Sequence, residues 1–166
     1  MKDSKIGLRG LYRIEHIRAG KVIDVFEGHN DITNEGLDQI LDIMFNAETQ
    51  IASWYIGMIN NSGYSAVANT DVMTSHAGWT EFVNYDEANR VEWAPADPSA
   101  QAITNSSAAV FTFNATGTLT GIFIASNSTK SGTTGKLWAT ALFALPVAVV
   151  DNDVLNITYT VVAARG

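Results

Sequence analysis

The sequence predicts a mainly β protein, an antiparallel β-sandwich of jelly-roll type with one short α-helix over about residues 34–46. Three observations predict it. Beyond residue 50 the chain runs in short stretches rich in branched and aromatic residues, separated by turn formers and without helices between them. Several of these stretches alternate with period two, as a sheet with one buried face requires. One earlier stretch instead repeats with helical period. The 166 residues, 46% hydrophobic and 16% charged, suit one domain whose core needs no covalent staple.

The elements follow in chain order. Leu8 to Phe26 reads as a hairpin, with Ala19-Gly20 as its turn and Tyr12, Ile14 and His16 sharing one face. Its charged side chains suit an edge ribbon, where they discourage stray pairing. Thr33 can cap a helix with Glu35 in its first turn. Leu37, Ile40, Leu41, Met44 and Phe45 then form one apolar stripe, read as packing on the core, and Asn46 is a stop. Trp54 to Ile59 is a strand candidate. Residues 60–78 form a long polar loop of the kind that contacts surfaces or partners. Short strands are expected at Trp79–Asn84 and Arg90–Ala94, with Pro95 and Pro98 interrupting pairing after them.

From residue 99 to 134 the chain carries 14 serines and threonines, a texture that supplies turns between strands. Ala109–Phe113, Leu119–Ala125, Leu137–Leu145 and Val154–Val162 are the strands. Phe111 and Phe113 share a face, as do Ile122 and Ile124, and Leu155, Ile157, Tyr159 and Val161. Trp54, Trp79, Trp93 and Trp138 all fall in strand-like runs and read first as core. Residues 1–29 divide off as a basic N-terminal β-ribbon or arm, and 30–166 as the sandwich body, together one compact domain.

Charge is unevenly placed. The net charge is −7, but residues 1–21 carry +4 (Lys2, Lys5, Arg9, Arg13, Arg18 and Lys21 against Asp3 and Glu15) and the rest −11. Such a split can mark an arm that meets an acidic partner. The plainer reading is that the six cations are the wet face of an edge hairpin. An acidic body without a basic–aromatic platform argues against nucleic acid. No run reaches the ~18 apolar residues of a membrane helix, and the N-terminus lacks the apolar core of a signal peptide.

Residues with catalytic or ligating chemistry are sparse. Without cysteine, disulfides, thiolate metal sites and thiol nucleophiles are excluded. His16, His29 and His76 have no partner at a zinc-site spacing. Asp151-Asn152-Asp153 resembles a calcium loop for three residues only and reads as a turn. There is no Gly-x-Ser-x-Gly and no phosphate loop. Trp79 with Glu81, and Glu92 with Trp93, leave a sugar-binding groove open as a reading. The expectation is therefore a protein that is not an enzyme and holds no cofactor or metal.

Several blocks together carry a resemblance. They are Asp31-Ile32-Thr33-Asn34-Glu35-Gly36-Leu37, Trp54-Tyr55-Ile56-Gly57-Met58-Ile59, Ser75-His76-Ala77-Gly78-Trp79-Thr80-Glu81, Gly121-Ile122-Phe123-Ile124, Gly135 to Phe143, and Asp153 to Tyr159. The series, over about residues 30–162, resembles small structural proteins of tailed bacteriophages that decorate or cement the capsid. The resemblance implies a non-enzymatic virion protein on the capsid exterior, made in the host cytoplasm. It would bind the major capsid protein and itself, as a homo-dimer or homo-trimer, and bridge and stabilise capsid subunits. Lys2, Lys5, Arg9, Arg13 and Arg18 are then candidates for electrostatic docking, and Tyr64, His76 and Trp79 for loop-side anchors. The alternative is a tail or tail-fibre component that binds host-surface glycan through aromatics of the 60–80 loop.

Overall fold

The computed structural model describes residues 6–165. Eleven strands and one helix follow in the order β1 (Ile6–Arg18), β2 (Lys21–His29), β3 (Asp31–Ile32), α1 (Asn34–Phe45), β4 (Trp54–Asn60), β5 (Glu81–Phe82), β6 (Val91–Trp93), β7 (Ala102–Thr104), β8 (Ala109–Thr112), β9 (Gly117–Ala125), β10 (Leu137–Val149) and β11 (Val154–Arg165). They form two antiparallel sheets packed face to face. The first has the order β2-β1-β11-β7, with β8 also paired to β11; the second has β3-β10-β9-β4-β5, with β6 also paired to β4. The mainly β sandwich with one helix is thus as expected; the strand order does not by itself assign the jelly-roll subtype.

The hairpin turns where expected. Ala19 and Gly20 both have positive φ, 49° and 73°, the geometry of a two-residue turn that matches strand twist. The ribbon is not an arm at the sheet edge, however. β1 pairs with β11 from Ile6↔Arg165 to Ile17↔Val154, so it is an interior strand, and Tyr12 and Ile14 belong to the core. Only β2 is an edge.

The inner faces meet as the period-two pattern requires. Ile14, Phe111, Phe113, Ile122, Ile124, Leu155, Ile157 and Tyr159 form the main core with Ile56, Met58 and Leu119. A second, smaller core was not foreseen. The 61–80 loop folds over the outer face of the second sheet and buries Met73 and Trp79 against Ile59, Phe123, Ala125 and Leu137. β9 is therefore buried on both faces. Opposite Phe123, a Cβ on Gly57 would enter the phenyl ring, so glycine alone permits this crossing.

Candidate interaction surface

Helix α1 is fastened at its first turn. The Thr33 hydroxyl accepts a bond from the Gly36 amide at 3.0 Å and donates to the Leu137 carbonyl at 2.5 Å. The Glu35 carboxylate accepts from the Leu137 amide at 2.8 Å and pairs with Lys136 at 3.3 Å. Gly36 lies so close to the Trp138 carbonyl that any side chain would collide with it. These contacts set the helix's rotation. The stripe that faces the body is Gly36, Gln39, Ile40 and Ile43.

Four of the five residues of the expected apolar stripe therefore turn outward, only Ile40 facing the body, which corrects the reading of the stripe as core. Leu37 is 43% exposed, Leu41 55%, Met44 66% and Phe45 80%. The two sheets already close the main core, and the first-turn anchors leave the helix no freedom to roll. Each large apolar side chain left in water forgoes about 1.5–3 kcal/mol of burial. A contiguous exposed stripe of this kind marks a contact surface.

Beside the stripe lies an apolar groove of about 210 Å³, between α1 and the end of the sandwich. Trp54, Trp93, Trp138, Tyr159 and Val161 form its walls with Ile40 and Ile43. Three polar groups of these walls are bonded within the chain. The Trp93 indole N–H donates to the Tyr159 carbonyl at 2.9 Å, and the Tyr159 hydroxyl accepts from Asn30 at 2.7 Å and Trp138 at 3.2 Å. Buried Gln39 also lines the groove, and its amide bonds to no described residue.

The helix is acidic on its wet side, with Asp38 and Asp42 exposed. Residues 22–89 hold eleven acids and no lysine or arginine. Arg9 and Arg165 stand exposed on β1 and β11, on opposite faces of the sheet, since Arg9 pairs with Val162 and Arg165 with Ile6. Gly10, next to Arg9, bonds Asn30 just before β3 and α1 through both its amide and its carbonyl.

The candidate residues do not form one patch. Arg9 makes no ion pair with a described residue. Arg13 pairs with Glu15 at 2.7 Å and Glu27 at 3.4 Å. Arg18 clamps Asp153 through Nε at 2.8 Å and Nη2 at 2.7 Å, so the docking charge expected of Arg13 and Arg18 is met within the chain. Lys2 and Lys5 lie outside the described residues. Trp79 is 2% exposed, which removes it as a surface anchor: its indole N–H bonds Asp71 at 2.9 Å and its ring stacks on His76 at 3.9 Å. His76 and Tyr64 are half-buried, Tyr64 against the second core.

Two buried polar centres went unread in the sequence. Asp153, fully buried, accepts from Arg18, from His16 Nε2 at 2.8 Å and from the Val150 amide at 2.9 Å. The Arg18 guanidinium, helped by the Val150 amide and His16, holds its carboxyl well below the usual carboxylate range against the opposing effect of burial. Arg90, with its side chain 1% exposed, meets Glu81 bidentately at 3.0 and 2.8 Å and caps the carbonyls of Asn127 and Gly132. The one sequence signal was that Arg90 is the single base between residues 22 and 129. The cleft beside His16 is lined by Tyr12, Asp24, Glu27 and apolar residues of β2 and β10, with no serine or threonine among them. Among the described residues, no three His, Asp or Glu side chains group as a metal site would.

No family model matches the chain. No curated protein matches it either.

Proposed function

We propose that this chain is a non-enzymatic virion structural protein, a capsid decoration or cement protein that binds the outer surface of major capsid subunits and bridges them. One observation carries the reading: a sandwich with two closed cores groups large exposed apolar side chains at two separate places, besides isolated ones such as Ile6 and Val110. The first is α1. The second is the bend where β2 passes β10, with Val22 54%, Ile23 49% and Leu145 77% exposed. The two are reached from Gly10 and Ile17 of β1, about 23 Å apart along the strand. A bridging protein needs two such contacts and no reaction centre. The resemblance of the sequence blocks to phage decoration proteins supports the same reading. The tail-fibre alternative keeps only half-buried Tyr64 among its loop aromatics, because Trp79 is withdrawn from the surface.

Electron micrographs of intact particles labelled with an antibody to this protein test the proposal. Label spread evenly over the head is the expected result. Label confined to the tail, or absent from every particle, contradicts it.

A further inference from the structure

The β2–β10 bend offers backbone as well as apolar side chains. Among the described residues β2 pairs with β1 alone. Gly10 bonds the Asn30 amide and side chain, so the even-numbered residues of β1 turn their backbone groups toward β2. Tyr12↔Gly28, Ile14↔Phe26 and His16↔Asp24 are then the bonded pairs. The amides and carbonyls of Val25, Glu27 and His29 point the other way, off the edge of the sheet. Only one of them is met by a described residue: the Val25 amide donates to the neighbouring Asp24 carboxylate at 2.8 Å. Such a row of groups is a template for another strand. Beside it lies a cleft of about 510 Å³, between β2 and residues 143–148 of β10. Here β10 breaks its register with β9 and forms no ladder with β2. Phe26 and Phe143, edge-on at 4.9 Å, wall the cleft together with Leu145 and Pro146.

We propose, resting on the shell-binding role above, that β2 takes up an extended segment of the shell subunit as a further strand. A bulky apolar side chain of that segment enters the cleft. Outward amides and carbonyls at every second residue match another strand's backbone, and the adjoining cleft matches the side chains such a strand points inward. A free extended segment fits better than the β2 of a second copy. The inward Phe26 of that β2 is packed on Phe143 and the core of its own sandwich, so it cannot fill the cleft of another. Asp24, exposed on the edge, caps the Val25 amide in the free chain, and the incoming strand displaces it.

Residue-resolved hydrogen exchange of the full chain, free and bound to capsids stripped of it, is the experiment. The amides of Val25, Glu27 and His29 exchange fast in the free chain and are slowed about tenfold or more on the capsid. Two variants sharpen the test. Val25→Pro removes an outward amide, which an edge strand can spare, at a side chain that is 43% exposed. It weakens capsid binding by about tenfold, as loss of one backbone bond in the added strand does. Asp24→Ala frees the same amide and binds at least as tightly as the wild type. The exchange measurement needs no variant, so it decides the matter even if Val25→Pro fails to fold. Binding with unchanged exchange along β2, or a folded Val25→Pro chain that binds like the wild type, overturns strand addition and leaves the shell-binding role standing. A chain that binds no capsid overturns both. Protection of these amides that grows with the concentration of the free chain assigns the edge to a second copy, and overturns strand addition by the shell.

Discussion

Asp153 shows how one residue can be misread when its neighbours in sequence are the only guide. Within Asp151-Asn152-Asp153 it resembles any turn aspartate, and Asn152 does take a positive φ of 65°. Its partners, though, are His16 and Arg18, more than 130 residues away. Replacing it as Asp153→Asn removes the negative charge and turns one of the two oxygens shared by His16, Arg18 and the Val150 amide into a donor, and should cost about 3 kcal/mol in urea unfolding at neutral pH. The pH dependence has a fixed sign. Its folded carboxyl titrates below its unfolded one, so its contribution is full above the unfolded value of about 4 and is lost as pH falls through the folded value. The stability gap between wild type and Asp153→Asn should therefore hold from neutrality to about pH 4 and narrow below it. A gap that instead widens in acid would contradict the assignment. Arg90 and Glu81 make a parallel case. Glu81→Ala should destabilise by about 3–5 kcal/mol, because it strands a buried guanidinium. Glu81→Leu combined with Arg90→Leu should cost less than the sum of the two single changes, which a double-mutant cycle in denaturant reads directly.

At the scale of elements, the helix is the instructive case. Its existence, its Thr33 cap and its Asn46 stop were legible in the sequence, since capping chemistry and the 3.6-residue period are local signals. Which of its faces would be buried was not. That depends on Gly36 nesting on Trp138 and on Glu35 reaching Leu137, contacts about 100 residues apart. The same limit hid β3 and β7, two and three residues long, too short for any periodicity. It hid the second core as well, because Phe123 sits between two inward residues and looks solvent-facing until the 61–80 loop covers it. The anchor predicts a local effect. Thr33→Ala should reduce stability by about 1–2 kcal/mol. Hydrogen exchange should show the α1 amides losing protection well before those of β9 and β11. Equal loss in all three would mean that the helix and the sandwich open as one unit.

For the whole molecule, the sequence carried the fold class well and the site poorly, for one physical reason. Alternation and turn residues report burial on one face of a strand, so inward positions such as Phe111, Phe113, Ile122, Ile124, Leu155 and Ile157 fall where expected. Charge counts along the chain report nothing about pairing across it. The basic segment looked like one clamp, but β1 spreads Arg9, Arg13 and Arg18 along an interior strand, two of them tied to acids of their own chain. Under the proposed role, adhesion would rest on apolar side chains at α1 and at the β2–β10 bend rather than on the ribbon's charge. Such contacts would cost its own fold little, since these exposed residues belong to neither core.

The proposed role is to stabilise a shell by binding it. The decisive measurement heats capsids stripped of the protein, with increasing amounts of purified chain added back. The chain should bind to saturation, and the temperature of shell disruption should rise with occupancy. Shells that fail to bind it, or that bind it fully and disrupt at the same temperature, would overturn the proposed role.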